Sequence, residues 1–384
     1  MVDPYFYSVM YVTFVVALIS IWIIAHNDSV GRSQKFCFIA GIVSVMIGTA
    51  SEMVFLMTTN SPDYIFIQKA SKVLEYSVGP LAPLFSACVF SSLKESKFFF
   101  FLVILHALLQ LGCSFFGFVF SVDEMGIYHR EFLYPAYNVF FVVCSLFAFW
   151  KVFVFSKTCQ NRNASTLLFI LLFFCTGTCF RLFNPELRVE WTTITITMTL
   201  FYLYYVVLLQ QVDPLTHVLN KKCYEAMVDS LNFESAVIVF DVDDFKSIND
   251  TYGHTYGDKV LQVVSSCIVK TYGLMGVCYR IGGDEFCVIF KKGKLGDKST
   301  DSFRAKIPVE YQIKGAPELP TKLYMLNYRF DRLLNHKSKR DPNLPRVSIG
   351  YAIFDNSQTF KEVFDSADRL MYLKKRQRKE RQNK

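Results

Sequence analysis

Arg280-Ile281-Gly282-Gly283-Asp284-Glu285-Phe286 lies between two short apolar runs, residues 276–281 ahead of it and 286–290 behind it. Two apolar runs joined across a Gly-Gly pair predict a β-hairpin. Glycine tolerates positive φ, so Gly282 and Gly283 predict a tight turn whose backbone can approach a bound molecule. Asp284 and Glu285 then set two carboxylates where the returning strand begins. Taken alone, carboxylates at such a turn are as readily solvated turn residues as functional ones.

A second stretch upstream changes that balance. Residues 235–240, Ser-Ala-Val-Ile-Val-Phe, predict a short buried strand. The chain continues Asp241-Val242-Asp243-Asp244-Phe245-Lys246-Ser247-Ile248-Asn249-Asp250, then Thr251-Tyr252-Gly253-His254-Thr255-Tyr256-Gly257-Asp258-Lys259-Val260-Leu261. Together the two stretches place Asp241 and Glu285 at the ends of neighbouring strands, where both can hold a divalent cation. The order D-x-D-x-F-K-x-x-N-D-x-x-G-H-x-x-G-D-x-x-L, followed by R-x-G-G-D-E-F, resembles the GGDEF family of diguanylate cyclases. The resemblance extends from about Asp213 to the C-terminus.

That resemblance implies an α+β nucleotidyl-cyclase-like domain, here residues 212–384, acting on GTP. The implied reaction condenses two GTP into cyclic di-GMP and two pyrophosphates, each 3′-hydroxyl attacking the other nucleotide's α-phosphate. It also implies two Mg²⁺ per GTP site, with Mn²⁺ as an alternative, because magnesium takes oxygen ligands and usually few protein carboxylates. Asp241, the Val242 carbonyl, Asp284 and Glu285 are the implied metal ligands. Asp284 and Glu285 are the implied catalytic pair, with Asp284 as proton acceptor. Asp243 is expected to cap the following turn. The implied phosphate donors are Lys246, the free N–H groups at the start of the next helix, Lys375 in A-D-x-x-x-Y-x-x-K, and Lys379. Asn249 and Asp258 are implied to read guanine, whose N1–H and N2–H₂ suit a carboxylate, with His254 as a pocket wall. Two GTP-loaded domains must face each other, so a homodimer is implied. No nucleic acid is expected as a partner. The other reading left open is a catalytically degenerate GGDEF module that binds GTP as a regulatory domain.

Departures from the family pattern are specific. The opening Asp213-Pro214-Leu215-Thr216 matches, but the following Gly is His217 and the usual Arg is Lys221. Asp213 is expected to pair with Arg280. The R-x-x-D product-inhibition positions are Gly273 and Gly276. Residues 291–345 form a longer insertion than usual, with a Lys/Gly-rich loop (291–298), a strand (306–313) and a helix (323–335) expected inside it. A core strand is expected again at Val347-Ser348-Ile349-Gly350-Tyr351.

The first 211 residues read differently. Hydrophobic residues make up 52% of the chain, with 39 Phe and a mean hydropathy of +0.28, and the excess lies in this half. A bilayer-crossing helix needs roughly 20 apolar residues. Seven stretches are expected to reach that: 5–25, 36–57, 74–93, 98–120, 132–155, 166–183 and 191–209, the third interrupted by Gly79-Pro80 and Pro83. The expectation is a seven-helix sensory domain over residues 1–211 in the plasma (inner) membrane, in contact with lipid and with an unidentified ligand or protein. The first stretch has no basic n-region or small-residue cleavage site, so it is expected to be retained. With seven spans and a nucleotide-using domain at the end, the N-terminus is expected outside and the GGDEF domain in the cytoplasm, an orientation that the loop bases mildly favour (Arg32, Lys35, Lys94, Lys97, Lys157, Arg162 inside against Lys69, Lys72, Arg130, Arg188 outside). No internal repeat links the spans, which argues against a transporter.

Net charge is +8, and nearly all of it falls beyond residue 211, with seven bases in the last eleven residues. These suit phosphate or anionic lipid as readily as solvent. The 11 cysteines include no C-x-x-C pair, and Cys223, Cys267, Cys278 and Cys287 are expected as reduced thiols. Glu52, Glu75, His106 and Arg181 are ionisable groups inside expected spans, either paired at interfaces or lining a sensing cavity.

Overall fold

A computed structural model of the chain describes residues 4–90, 93–159, 165–183, 188–231, 234–291, 321–354 and 357–382. It divides into two compact units, Met1–Leu208 and Leu209–Lys384.

The first unit is helical: α1 (Pro4–His26), α2 (Arg32–Thr58), α3 (Ile65–Val78), α4 (Leu81–Val89), α5 (Leu93–Phe116), α6 (Tyr134–Thr158), α7 (Ser165–Phe183) and α8 (Glu190–Gln211). Among the described residues four helices are long and apolar enough to cross a membrane: Tyr5–His26, Arg32–Thr58, Tyr134–Thr158 and Glu190–Gln211. Two others, Phe100–Cys113 and Ser165–Cys179, are shorter apolar stretches. The third expected span is not one helix, because the chain breaks between α3 and α4 at Gly79-Pro80. Proline has no N–H to continue the ladder, and its ring crowds the carbonyl of the preceding turn. The fourth also stops early. α5 ends at Phe116, and Phe120–Val122 (β1) instead pairs antiparallel with Tyr128–Arg130 (β2).

Small and hydroxyl-bearing side chains seat α8 among its neighbours. A Cβ at Gly41 would collide with Met198, and one at Gly48 with the Trp191 ring. Both pairs step by seven residues in opposite directions, so α2 and α8 run antiparallel. Thr13 shares a hydrogen bond with Thr192 (2.5 Å) and Ser20 with Thr199 (2.8 Å), so α1 runs parallel to α8. Close approach through glycine, with hydroxyl hydrogen bonds across the seam, is how helices associate where lipid removes the hydrophobic drive. The ionisable groups inside the unit are paired rather than free. Glu52, fully buried, accepts from Arg188 (2.7 Å), and Glu75 accepts from the buried Lys72 (2.6 Å). The Nε2 atom of His106 lies 3.3 Å from the Tyr76 carbonyl. The Arg181 side chain lies outside the described residues.

The second unit is an α+β layer structure. Its sheet contains β3 (Ser235–Val242), β4 (Val277–Arg280), β5 (Glu285–Lys291) and β6 (Val347–Phe354) in the order β4-β5-β3-β6, every pairing antiparallel. The predicted hairpin is β4–β5. In β3, Ala236, Ile238, Phe240 and Val242 enter one core while Val237 and Val239 enter the other. Alternation across a strand, with a helical layer on each face, makes the run continuously apolar. The first core is covered by α10 (Phe245–Tyr252), α11 (His254–Tyr272) and α12 (Thr321–Ser338). The second is covered by α9 (Lys221–Asp229) and α13 (Phe360–Gln382). The helix expected in the insertion is α12. The expected loop at 291–298 and strand at 306–313 fall, beyond Lys291, outside the described residues.

Candidate active site

The ends of β3 and β5 come together at one edge of this sheet. The register sets Asp241 opposite Glu285 on one side and opposite Ser348 on the other. The Val242 N–H donates to the Asp284 carbonyl (3.3 Å), which ties the hairpin turn to the central strand. α13 then brings Lys375 over the strand end. Its ammonium donates to Asp241 and lies 3.8 Å from Asp243.

Electrostatics mark this edge as short of positive charge. Burial first, and then the Asp241 charge, raise the Asp284 carboxyl above the usual range, with Lys375 and Arg280 offsetting only part. Burial and then Asp284, Asp241 and Asp368 raise Glu285. Burial pulls the Lys375 ammonium down, but its contacts with Asp241, Asp243 and Asp244 more than offset this and hold it above its ordinary value. Oxygen donors that repel one another in a half-buried site fit a hard divalent cation. Among the described residues no three His, Cys, Asp or Glu side chains are already drawn into a ligand cage. Here Lys375 holds Asp241.

The turn glycines act through space rather than torsion. Among the described glycines positive φ occurs at Gly117, Gly126 and Gly253, and not at Gly282 or Gly283, contrary to the torsional expectation. A Cβ on Gly282 would instead sit 2.6 Å from Glu285 Oε2, so the missing side chain leaves room for that carboxylate. Arg280 closes the turn by donating to the Gly283 carbonyl from Nε (3.2 Å) and Nη2 (2.7 Å).

Arg280 also pairs with Asp213 as the sequence suggested, at 3.0 Å. Asp213 accepts in addition from the Thr216 N–H (2.9 Å) and hydroxyl (2.7 Å). Burial alone would push the Asp213 carboxyl up, but these donors from Thr216 and Arg280 outweigh it and hold it below its usual range. A carboxyl depressed in the folded state adds stability above its unfolded value, near 3.9, and loses it as pH falls through the folded value. Asp213→Ala is therefore expected to cost about 2 kcal/mol at pH 7. Urea unfolding of both proteins should show the gap closing progressively below about pH 4. A pH-independent gap would rule out the charged contact as its source.

His217, where the family carries Gly, has φ +57°. Left-handed backbone costs a Cβ-bearing residue about 1 kcal/mol. His217→Gly is expected to stabilise this unit by about 0.5 kcal/mol once the greater freedom of glycine in the unfolded chain is subtracted, read as a small rise in urea midpoint. A fall would show that the imidazole makes a compensating contact.

Asp243, expected to cap the following turn, is engaged across the sheet. Its carboxylate accepts from the Ser348 hydroxyl (2.7 Å), while Asp244, at φ +54°, occupies the position before α10 and makes no side-chain cap. The left-handed residue turns the chain sharply from β3 into α10, a conformation that Asp tolerates better than most. Lys246 lies exposed on α10, and His254 and Asp258 lie exposed on the first turns of α11. Asn249 is half-buried against Gly257, and its Oδ1 has no hydrogen-bond partner. Among the described residues no hydrogen bond or ion pair joins these four to the carboxylates. The structure thus draws together Asp241, Asp284, Glu285 and Lys375, and leaves Lys246, Asn249, His254 and Asp258 apart on α10 and α11. The Lys379 side chain lies outside the described residues. Asp368 joins the cluster electrostatically and was not singled out from sequence, although it lies in the same A-D-x-x-x-Y run as Lys375.

Residues 210–310 match the family described as "Diguanylate cyclase, GGDEF domain". The diguanylate cyclase DgcN of Escherichia coli K12 is 30% identical over 175 residues, which are 44% of this chain and 38% of that protein. The diguanylate cyclase DosC of the same strain is 30% identical over 146 residues, 38% of this chain and 27% of that protein. The matched stretch thus spans well under half the length of either relative. Among solved structures, the GGDEF domain of DgcB from Caulobacter crescentus in complex with c-di-GMP is 24% identical, with 43% of this chain and 90% of that one covered and a TM-score of 0.31. The diguanylate cyclase SiaD from Pseudomonas aeruginosa, in complex with its activator SiaC, is 15% identical, with 63% and 88% covered and a TM-score of 0.35.

Proposed function

The chain carries a GGDEF domain with diguanylate cyclase relatives, and from that premise we propose that it condenses two GTP into cyclic di-GMP and two pyrophosphates. In each half-reaction a 3′-oxygen bonds to the partner's α-phosphorus. The bond to the β-phosphate oxygen breaks, and the hydroxyl proton leaves. The observation that carries this reading is the convergence of Asp241, Asp284 and Glu285 with Lys375 at one sheet edge.

Each residue has a task within it. Asp241, the Val242 carbonyl, Asp284 and Glu285 would hold Mg²⁺, which would neutralise triphosphate charge and acidify the attacking hydroxyl. Lys375 exchanges Asp241 for the triphosphate. Lys246 and the first N–H groups of α10 meet the remaining phosphate oxygens. The unpartnered Asn249 Oδ1 accepts from guanine, and Asp258 receives its N1–H and N2–H₂. Asp284 takes the hydroxyl proton as general base. Two such domains face each other as a homodimer. The apolar helices carry the chain in the plasma membrane, with the N-terminus outside, and govern how often the cyclase faces meet.

The test is cyclic di-GMP formation from GTP and Mg²⁺ by the detergent-purified full chain, followed by chromatography. Product that disappears with chelator supports the proposal. Bound GTP without product, in protein that remains dimeric and folded, would overturn it in favour of a regulatory GTP-binding module.

A further inference from the structure

The segment that leads from α12 to β6 is held at several points. The Asp341 N–H donates to the Lys337 carbonyl (3.1 Å), and the Asp341 carbonyl accepts from the Leu344 N–H (3.0 Å). Leu344 is buried in the same core as Ile248 of α10, and the Arg346 carbonyl accepts from the Asp243 N–H (2.9 Å). Pro342 and Pro345 fix two further backbone torsions. Asp341 is thus a carboxylate on a stiff support at the exit of the insertion.

Both of its carboxylate oxygens reach across to α11. Oδ1 accepts from the Tyr256 hydroxyl (2.9 Å) and Oδ2 from the Lys259 ammonium (3.1 Å). The Tyr256 bond first, and then Lys259, hold the Asp341 carboxyl below its usual range. Tyr256 and Lys259 lie three residues apart on one face of the helix, and Asp258 stands between them in sequence. The Lys259 ammonium also sits 5.6 Å from the Tyr256 ring centroid, and that ring lies 5.2 Å from the Tyr252 ring at the end of α10.

The start of α11 needs such a hold. Gly253, just before it, has φ +81°, a backbone that glycine adopts without steric cost and that leaves the first turn free to swing. The seam with α10 has no slack, because a Cβ on Gly257 would collide with Asn249 Oδ1. A small rotation of the first turns therefore moves Gly257 off Asn249 and turns Asp258 with it. An exposed ion pair adds little stability, so the effect of Asp341 falls on orientation.

We infer that Asp341 is a positioning residue for base recognition, fixing the first turns of α11 so that Asn249 and Asp258 present a matched pair to guanine. The inference rests on the guanine-reading roles proposed above for those two residues, and it gives the insertion a part in substrate choice.

The α,β-methylene analogues of GTP and ITP, which the reaction cannot cleave, differ only in the 2-amino group. Equilibrium binding of each is measured with Mg²⁺ on the full chain in detergent. Wild type should prefer the guanine analogue by about tenfold or more. Asp341→Ala should cut that preference about fivefold, while the hypoxanthine analogue binds within about twofold of wild type and the thermal midpoint moves by less than about 2 °C. Tyr256→Phe combined with Lys259→Met should reproduce the loss, which keeps the test decisive if the Asp341 variant folds poorly. Asp341→Asn, which keeps an acceptor for Tyr256, should recover part of the preference. A preference unchanged in Asp341→Ala and in the double variant, or both analogues weakened equally, would overturn the inference alone, provided that Asp258→Ala still abolishes the preference. A wild type without any preference would overturn the base reading and the inference together.

Discussion

Glu285→Ala is expected to lower cyclic di-GMP formation by about 10³-fold while leaving the metal-free thermal midpoint of the second unit unchanged or raised. The two halves of that result share one cause. Glu285 stands opposite Asp241 in the sheet register. Burial, followed by the charges of Asp284, Asp241 and Asp368, raises its carboxyl above the usual value. A carboxyl raised in the folded state contributes stability that is complete below its unfolded value and lost as pH rises through the folded one. At neutral pH without metal the ionised side chain therefore strains the fold it sits in, and removing it relieves Asp241 and Asp284. Any midpoint advantage of the variant should be largest at pH 7 and shrink toward pH 4. A residue retained for packing would behave oppositely, with activity and midpoint falling together. Chromatography of product and thermal unfolding at both pH values, with chelator present, measure the two quantities. A midpoint several degrees below wild type would show that Glu285 holds the hairpin rather than the reaction.

Much of this site was legible because its constraints are local. A Gly-Gly pair between apolar runs and an apolar run ending in Asp241 fixed both strand ends, and antiparallel register then brought Asp241 to Glu285. What escaped depended on partners distant in sequence. Asp243 has the side chain of a cap, but its contact with Ser348 on the adjacent strand needed the sheet register. Lys375 carries the composition of a phosphate-binding lysine, and its resting partner Asp241 is fixed only once α13 crosses the sheet. The count of spans is supported only in part, by four long apolar helices among the described residues. Hydropathy registers composition and not backbone continuity, so the interrupted α3–α4 pair reads as one span, and another extends past the end of α5 to Phe120. The seven-residue match of Gly41 and Gly48 to Met198 and Trp191 needed both helices in view at once.

Gly350→Ala should be the most damaging small substitution in the second unit, at about 3 kcal/mol, or a fall of about 10 °C in midpoint for a unit this size. Gly350 lies in β6, opposite Val239 of the central strand, with α13 packed directly over it. A Cβ there would collide with the Ala367 carbonyl oxygen and lie 2.7 Å from the Met371 amide nitrogen. Both are backbone atoms within one helix, so no side-chain rotation relieves the overlap and α13 must move off the sheet. Moving it loosens Val363, Ala367 and Met371 from the core that they share with Val237 and Val239. It also shifts Lys375, one turn beyond Met371, away from Asp241. Stability and activity should thus fall together here, unlike at Glu285. Gly282→Ala is the internal control. Its Cβ would meet the carboxylate end of the Glu285 side chain, which can swing aside, so its midpoint should move by less than about 3 °C while activity drops. Differential scanning fluorimetry of both variants beside wild type decides the matter. If Gly350→Ala unfolds within about 2 °C of wild type, α13 is not pinned to β6 at this point, and the placement of Lys375 over the strand end loses its structural basis.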